Sequence, residues 1–220
     1  MIITAGGIKG GSGKSTISTN LVVYLASKGR DVLFIDADDQ ETAYQFTMQR
    51  ESVKGEGGTG YTTIRQKNKE VRTEVLKLTG KFDDIVIDTG GRDTASQRAA
   101  LSVTDVYLVP FYPRGVDAWT LPEVETLVSE MQTSNPNLKA FSFMNRADPQ
   151  SADNREVAQF LKESEILQYI ETPLINRKAF SNATTAGLGI LEYRPADIKA
   201  QSEFIALYNE LFKQLNIKPY

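Results

Sequence analysis

Within residues 7–16, GIKGGSGKST, side-chain types and spacing point to one chemistry, the holding of a polyphosphate. Gly10, Gly11 and Gly13 give a backbone free to curl, so that consecutive N–H groups around Ser12 can turn inward on an anion. Lys14 and Ser15 then close the pattern G-x-x-x-x-G-K-[ST], with Thr16 behind them. A lysine in that place reaches the β- and γ-phosphates, and the hydroxyl beside it ligates Mg²⁺. The front of the pattern is altered: Ile8 stands where a glycine is expected, and Gly7 falls one residue early. A helix opening at the end of the loop adds the positive end of its dipole.

The 220 residues include no histidine and no cysteine, so carboxylates, lysines, hydroxyls and backbone amides must carry any reaction. Thiolate nucleophiles, iron–sulfur clusters, Ser-His-Asp triads and imidazole-bound metals are excluded. The absence of cysteine suits a reducing cytoplasm. Lys plus Arg number 25 against 28 Asp plus Glu, a formal charge of −3. That balance argues against a globally basic nucleic-acid binder and leaves room for a local basic patch. No apolar run approaches the ~20 residues needed to span a bilayer, and no basic residue precedes the first apolar stretch, so no signal peptide is expected.

These residues need a scaffold. Short β-branched runs alternate with stretches of helical period, which predicts a single α/β domain over residues 1–220, a mostly parallel twisted sheet with helices on both faces. Strands are predicted at residues 1–8, 31–36, 83–88, 105–110 and 138–144, with a weaker one at 169–175. VLFID, IVID and VYLVP are nearly continuous apolar runs, as strands covered on both faces should be. Ile17, Leu21, Tyr24 and Leu25 repeat at helical spacing behind the loop, and Gly29 is placed to stop that helix. Two further core-facing stripes run through Leu121, Val124, Leu127, Val128 and Met131, and through Phe204, Leu207, Tyr208, Leu211, Phe212 and Leu215. The polar segment 51–60, ESVKGEGGTG, reads as a solvent loop between helices.

KGGSGKST, with Lys9 five residues before Lys14, resembles the deviant Walker A motif of the ParA/MinD ATPase superfamily. The likeness continues in order along the chain. IDADDQ (35–40) resembles the motif D-x-D-P-Q, with Asp39 where proline is usual, and IVIDTGG (85–91) resembles the Walker B strand. VPFYPRGVDAW (109–119) and TPLINRKAFSNATTAGLGILEY (172–193) are similar to later family segments. The resemblance implies a P-loop NTPase fold with slow, Mg²⁺-dependent ATP hydrolysis stimulated by a partner. It implies that Lys9 crosses an ATP-sandwiched dimer interface and touches the partner's nucleotide, where a cation stabilises developing phosphoryl charge. It further implies that Ser15, Asp38 and Asp88 form the Mg²⁺ site, Asp88 through water, while Asp38 also positions the attacking water and Asp36 supports the site. Asp36 and Asp38 share a side if their strand continues. Asn145 stands where relatives present an adenine-reading amide, although a turn beside Arg146 and Asp148 explains it nearly as well. Pro113 and Asp117 shape the same pocket or form a turn and N-cap.

A ParA-like partition ATPase is therefore expected: a homodimer closed by ATP that binds DNA without sequence preference, with a ParB-like centromere-binding protein as its trigger. Arg177 and Lys178 fall in the stretch resembling the family's DNA-contacting region, and Arg194 and Lys199 follow it. The implied setting is the cytoplasm, on the nucleoid when ATP is bound, with no separate N-terminal DNA-binding domain. A MinD-like membrane ATPase is the competing expectation. It calls for a basic amphipathic C-terminal helix, whereas NELFKQLNIKPY has two lysines and a face that reads as core, so no membrane partner is expected. A metabolic ligase of the dethiobiotin synthetase type shares the loop, but Lys9 and the late stretch speak against it.

Overall fold

A computed structural model describes residues 1–114, 119–151 and 153–218. Strands and helices alternate: β1 (Ile2–Ala5), α1 (Lys14–Ser27), β2 (Val32–Asp36), α2 (Thr42–Lys54), β3 (Thr62–Arg65), α3 (Glu70–Leu78), β4 (Asp84–Asp88) and α4 (Ala95–Leu101). There follow β5 (Val106–Phe111), α5 (Leu121–Ser134), β6 (Lys139–Met144), α6 (Asp153–Lys162), β7 (Gln168–Tyr169), α7 (Lys178–Thr185) and α8 (Ile198–Gln214). The seven strands form one sheet in the order β3-β2-β4-β1-β5-β6-β7, and every pairing is parallel.

Strand alternation explains why both faces are covered. Phe34, Val86, Leu108 and Phe141 point to one side, where they pack with α1, α2, α7 and α8. Leu33, Ile35, Ile85 and Ile87 point to the other side, against α3 and α4. Tyr107, Val109 and Phe111 share that second side with α5 and α6. The expected doubly covered α/β sheet is the fold observed.

Three boundaries differ from the sequence expectation. The first strand stops at Ala5 rather than residue 8: Gly6 N still donates to Leu108 O at 3.1 Å, and beyond it the chain leaves the sheet for the glycine loop. Of the segment 51–60 expected as a loop, residues 51–54 are the last turn of α2, and the remainder leads to an edge strand, β3, rather than to a helix. TTIR is too short and too exposed to announce itself. The 169–175 run pairs as a strand only at Gln168–Tyr169, and afterwards keeps isolated bonds from Ile170 N to Ser142 O and from Leu174 N to Met144 O.

Candidate functional site: a phosphate cleft at the strand ends

β1 lies mid-sheet, and its carboxyl end releases the glycine loop into α1. Parallel α/β sheets place ligands at such strand ends. Gly11 and Gly13 hold left-handed backbone, with φ of 80° and 96°. Gly13 is the N-cap of α1 and no side chain caps it, so the first helical N–H groups face the cleft rather than a capping oxygen. From the end of β6, Asn145 Nδ2 donates to Ser12 O at 2.7 Å. A Cβ on Gly13 would lie 2.1 Å from that nitrogen, so the loop and Asn145 fit only with glycine there.

Lys14 is buried and donates from Nζ to Lys9 O at 2.9 Å, closing the loop on itself. Burial lowers its pKa, against which the charges of Asp88 and Asp38 act. Asp88 ends β4 in register with Asp36 at the end of β2, so two fully buried carboxylates stand side by side. Burial pushes Asp88 up to about 7, with Asp36 adding to the rise and the Ser15 and Ser18 hydroxyls and Lys14 opposing it. Its Oδ1 accepts from Ser18 at 2.9 Å, while Oδ2 is buried with no hydrogen-bond partner. An unpaired buried carboxylate oxygen beside a serine hydroxyl suits a hydrated divalent cation, so these residues fit Mg²⁺.

β2 ends at Asp36, so Asp36 and Asp38 do not share a strand face as the continued-strand reading expects. Asp36 is instead the anchor beneath the loop: Oδ1 accepts from Asp38 N at 3.0 Å and Oδ2 from Tyr44 N at 2.7 Å. Asp38 turns toward the cleft and lies against Gly90, where an added Cβ would come 3.1 Å from its Oδ1. Asp39, in the usual place of proline, is exposed and pairs with Lys67 at 3.4 Å.

The cleft has a volume of about 540 Å³. Gly10, Gly11, Gly13, Lys14, Ser15, Thr16 and Asp38 all line it, as the sequence reading expects of them. Thr16 and Arg146 are shared with an adjoining hollow of about 290 Å³ that Asn145, Ile175 and Phe180 also line. Asp88 sits behind the cleft wall, and Lys9 lines a neighbouring small hollow. Pro113 is buried elsewhere, and Asp117 lies outside the described residues. Arg177 and Lys178 rim the second hollow, while Arg194 and Lys199 are exposed beyond it. Arg177 is clasped by Glu203 at 2.7 Å.

Sequence reasoning missed the loop after β4. Gly90, Gly91, Arg92 and Thr94 all line the cleft. A Cβ on Gly91 would meet Gly10 N at 2.6 Å, so this loop lies directly on the phosphate loop. The pair of glycines in DTGGRDT is the signal that could have found it.

The parallel sheet, the glycine loop opening α1 and the buried lysine between carboxylates define a P-loop nucleotide-binding protein. Residues 3–206 match the CobQ/CobB/MinD/ParA nucleotide binding domain, and the chain belongs to that family. It is an ATPase of the ParA/MinD type. It is 26% identical over 206 residues to the Maintenance of carboxysome distribution protein A of Halothiobacillus neapolitanus, covering 93% of both chains. The protein of the same name from Gloeobacter kilaueensis is 28% identical over 205 residues, covering 92% of this chain and 90% of the relative. The putative plasmid partition protein of Borrelia burgdorferi bound to AMPPNP shares the fold, with a TM-score of 0.77 at 20% identity over 97% of this chain and 98% of that one.

Proposed function

We propose that this chain is an ATP-switched positioning ATPase that closes as a homodimer on Mg²⁺-ATP, binds DNA without sequence preference and distributes a cargo. The observation that carries the reading is the buried Lys14, folded back on Lys9 O and flanked by Asp88 and Asp38 at the mouth of an uncapped helix. In this reading the loop amides, Lys14 and Ser15 hold the polyphosphate, and the hollow at Thr16 and Asn145 receives the base. Bound Mg²⁺ neutralises phosphate charge. Ser15 and, through water, Asp88 would hold it, Asp38 would orient a water, and Lys9 would serve the partner's nucleotide across the interface.

In its finer form the cargo is DNA, the trigger is a ParB-like centromere-binding protein, and the setting is cytoplasmic. The two carboxysome distribution proteins favour a second reading, in which the cargo is a protein body and its adaptor is the trigger. The nucleotide chemistry is the same in both. Lys14→Ala is expected to abolish Mg²⁺-ATP binding by calorimetry, whereas Lys9→Ala keeps most of the binding and loses hydrolysis or dimer formation. Full hydrolysis by Lys9→Ala would remove Lys9 from its role.

A further inference from the structure

Arg92 lines the phosphate cleft, yet the nucleotide chemistry set out above assigns it nothing. It is exposed, and among the described residues its guanidinium has no hydrogen-bond or ion-pair partner. The carboxylate next to it, Asp93, is already taken: Arg98 chelates it through Nε at 2.7 Å and Nη2 at 2.6 Å. Arg98 in turn holds Glu130 at 2.8 Å. The neighbouring acid is thus taken, and Arg92 opens on a cleft whose other cations are Lys14, buried in its floor, and Arg146 at the end shared with the second hollow.

The cleft has a direction. At one end Thr16 and Arg146 lead into the second hollow, which is the end for a base. At the other end Gly91 rests on the Gly10 backbone and Gly90 touches the Asp38 carboxylate. Arg92 follows Gly91 directly, so it belongs to the end away from the base, where the last phosphate of a triphosphate extends beyond Lys14. The packing of Gly91 on the Gly10 and Lys9 backbone sets where the Arg92 side chain starts.

We propose that Arg92 is a specificity-determining residue that reads the third phosphate and so separates ATP from ADP. The inference rests on the nucleotide-binding reading above. A guanidinium is suited to the task, since it presents a planar fork of donors to phosphate oxygens.

The test is the affinity of the full chain for AMPPNP and for ADP, each with Mg²⁺, at a protein concentration where the chain sediments as a monomer. Wild type, Lys14→Ala, Arg92→Gln and Arg92→Lys are compared, with Arg146→Gln as the control at the base end. Arg92→Gln is expected to weaken AMPPNP about tenfold or more and to leave ADP within twofold, with Arg92→Lys between. Arg146→Gln is expected to change both nucleotides equally or neither. Equal effects of Arg92→Gln on the two nucleotides, or no effect on either, would overturn the proposal. Selectivity lost at Arg146 instead of Arg92 would reverse the assigned direction and overturn it too. Failure of the nucleotide reading looks different, because wild type then binds neither nucleotide. Arg92 is exposed, and equal apo melting temperatures for the variants verify that folding is unchanged.

Discussion

At the scale of single residues, one glycine decides how the two loops of the cleft meet. Gly91 lets the loop after β4 lie on the phosphate loop, and an alanine there would bring a methyl within 2.6–2.8 Å of the Gly10 and Lys9 backbone. Neither backbone can yield without moving Lys9 O away from Lys14. Gly91→Ala is therefore expected to weaken Mg²⁺-AMPPNP binding by about tenfold or more, while the melting temperature without nucleotide changes little. Calorimetry on the variant checks it, and wild-type affinity would show that the two loops separate freely. The glycine loop itself was legible in the sequence because its spacing is local. Gly91 was not, since its need for glycine comes from a contact with a loop about eighty positions away. Asp36 was legible as a site residue, but its hydrogen bonds to Asp38 N and Tyr44 N depend on where β2 ends, which no local pattern states.

At the scale of elements, the alternation of strands and helices was readable wherever a strand is buried on both faces. Edge strand β3 escaped because TTIR carries too few apolar residues to stand out, and the weak run expected at 169–175 forms a strand only as the two-residue β7. A second illegible feature fastens α2 to the connection between α7 and α8. Arg50, buried in α2, binds Glu192 through Nη1 at 2.6 Å and Nη2 at 3.0 Å, Gly187 O through Nη1, and Thr59 O through Nε. Burial alone would raise the Glu192 carboxyl; the Arg50 hydrogen bonds, the Gly189 N–H and Lys54 outweigh it and hold the pKa down at about 2. A carboxyl with a depressed folded pKa stabilises fully above its unfolded value, near 4.5, and loses that contribution as pH falls toward 2. Urea unfolding of Glu192→Gln is thus expected to show a shallower loss of stability than wild type between about pH 4.5 and 3. Arg50→Ala leaves two carbonyls without their donor and Glu192 with only Lys54 and the Gly189 N–H, and roughly 2–3 kcal/mol of destabilisation is expected at pH 7. Parallel acid limbs for Glu192→Gln and wild type would show that the clasp contributes nothing to the pH dependence.

At the scale of the whole molecule, a chain of charge −3 can approach DNA only through a localised patch, and the patch is smaller than the sequence suggests. Arg177 is committed to Glu203, and Arg194 donates to the Leu191 and Tyr193 carbonyls. Lys178 and Lys199 are exposed without such partners among the described residues, each in the first turn of its helix, where the dipole adds positive potential. On the proposed reading, one copy offering two such lysines would bind DNA weakly, and a dimer that aligns two copies would double the number of phosphate contacts. With roughly four contacts, log affinity should fall with log salt at a slope of about −3 to −4. DNA retardation is therefore expected with Mg²⁺-AMPPNP and not with ADP, and it should vanish as salt rises. The double variant Lys178→Glu, Lys199→Glu should abolish it, Lys199→Glu alone, away from the base hollow that Lys178 rims, should weaken it at unchanged nucleotide affinity, and Lys178→Arg with Lys199→Arg should retain it. Retardation that survives the charge reversal would move the DNA surface elsewhere on the molecule. ATP turnover with no DNA binding in any nucleotide state would instead mean that the ATPase positions its cargo on some other surface.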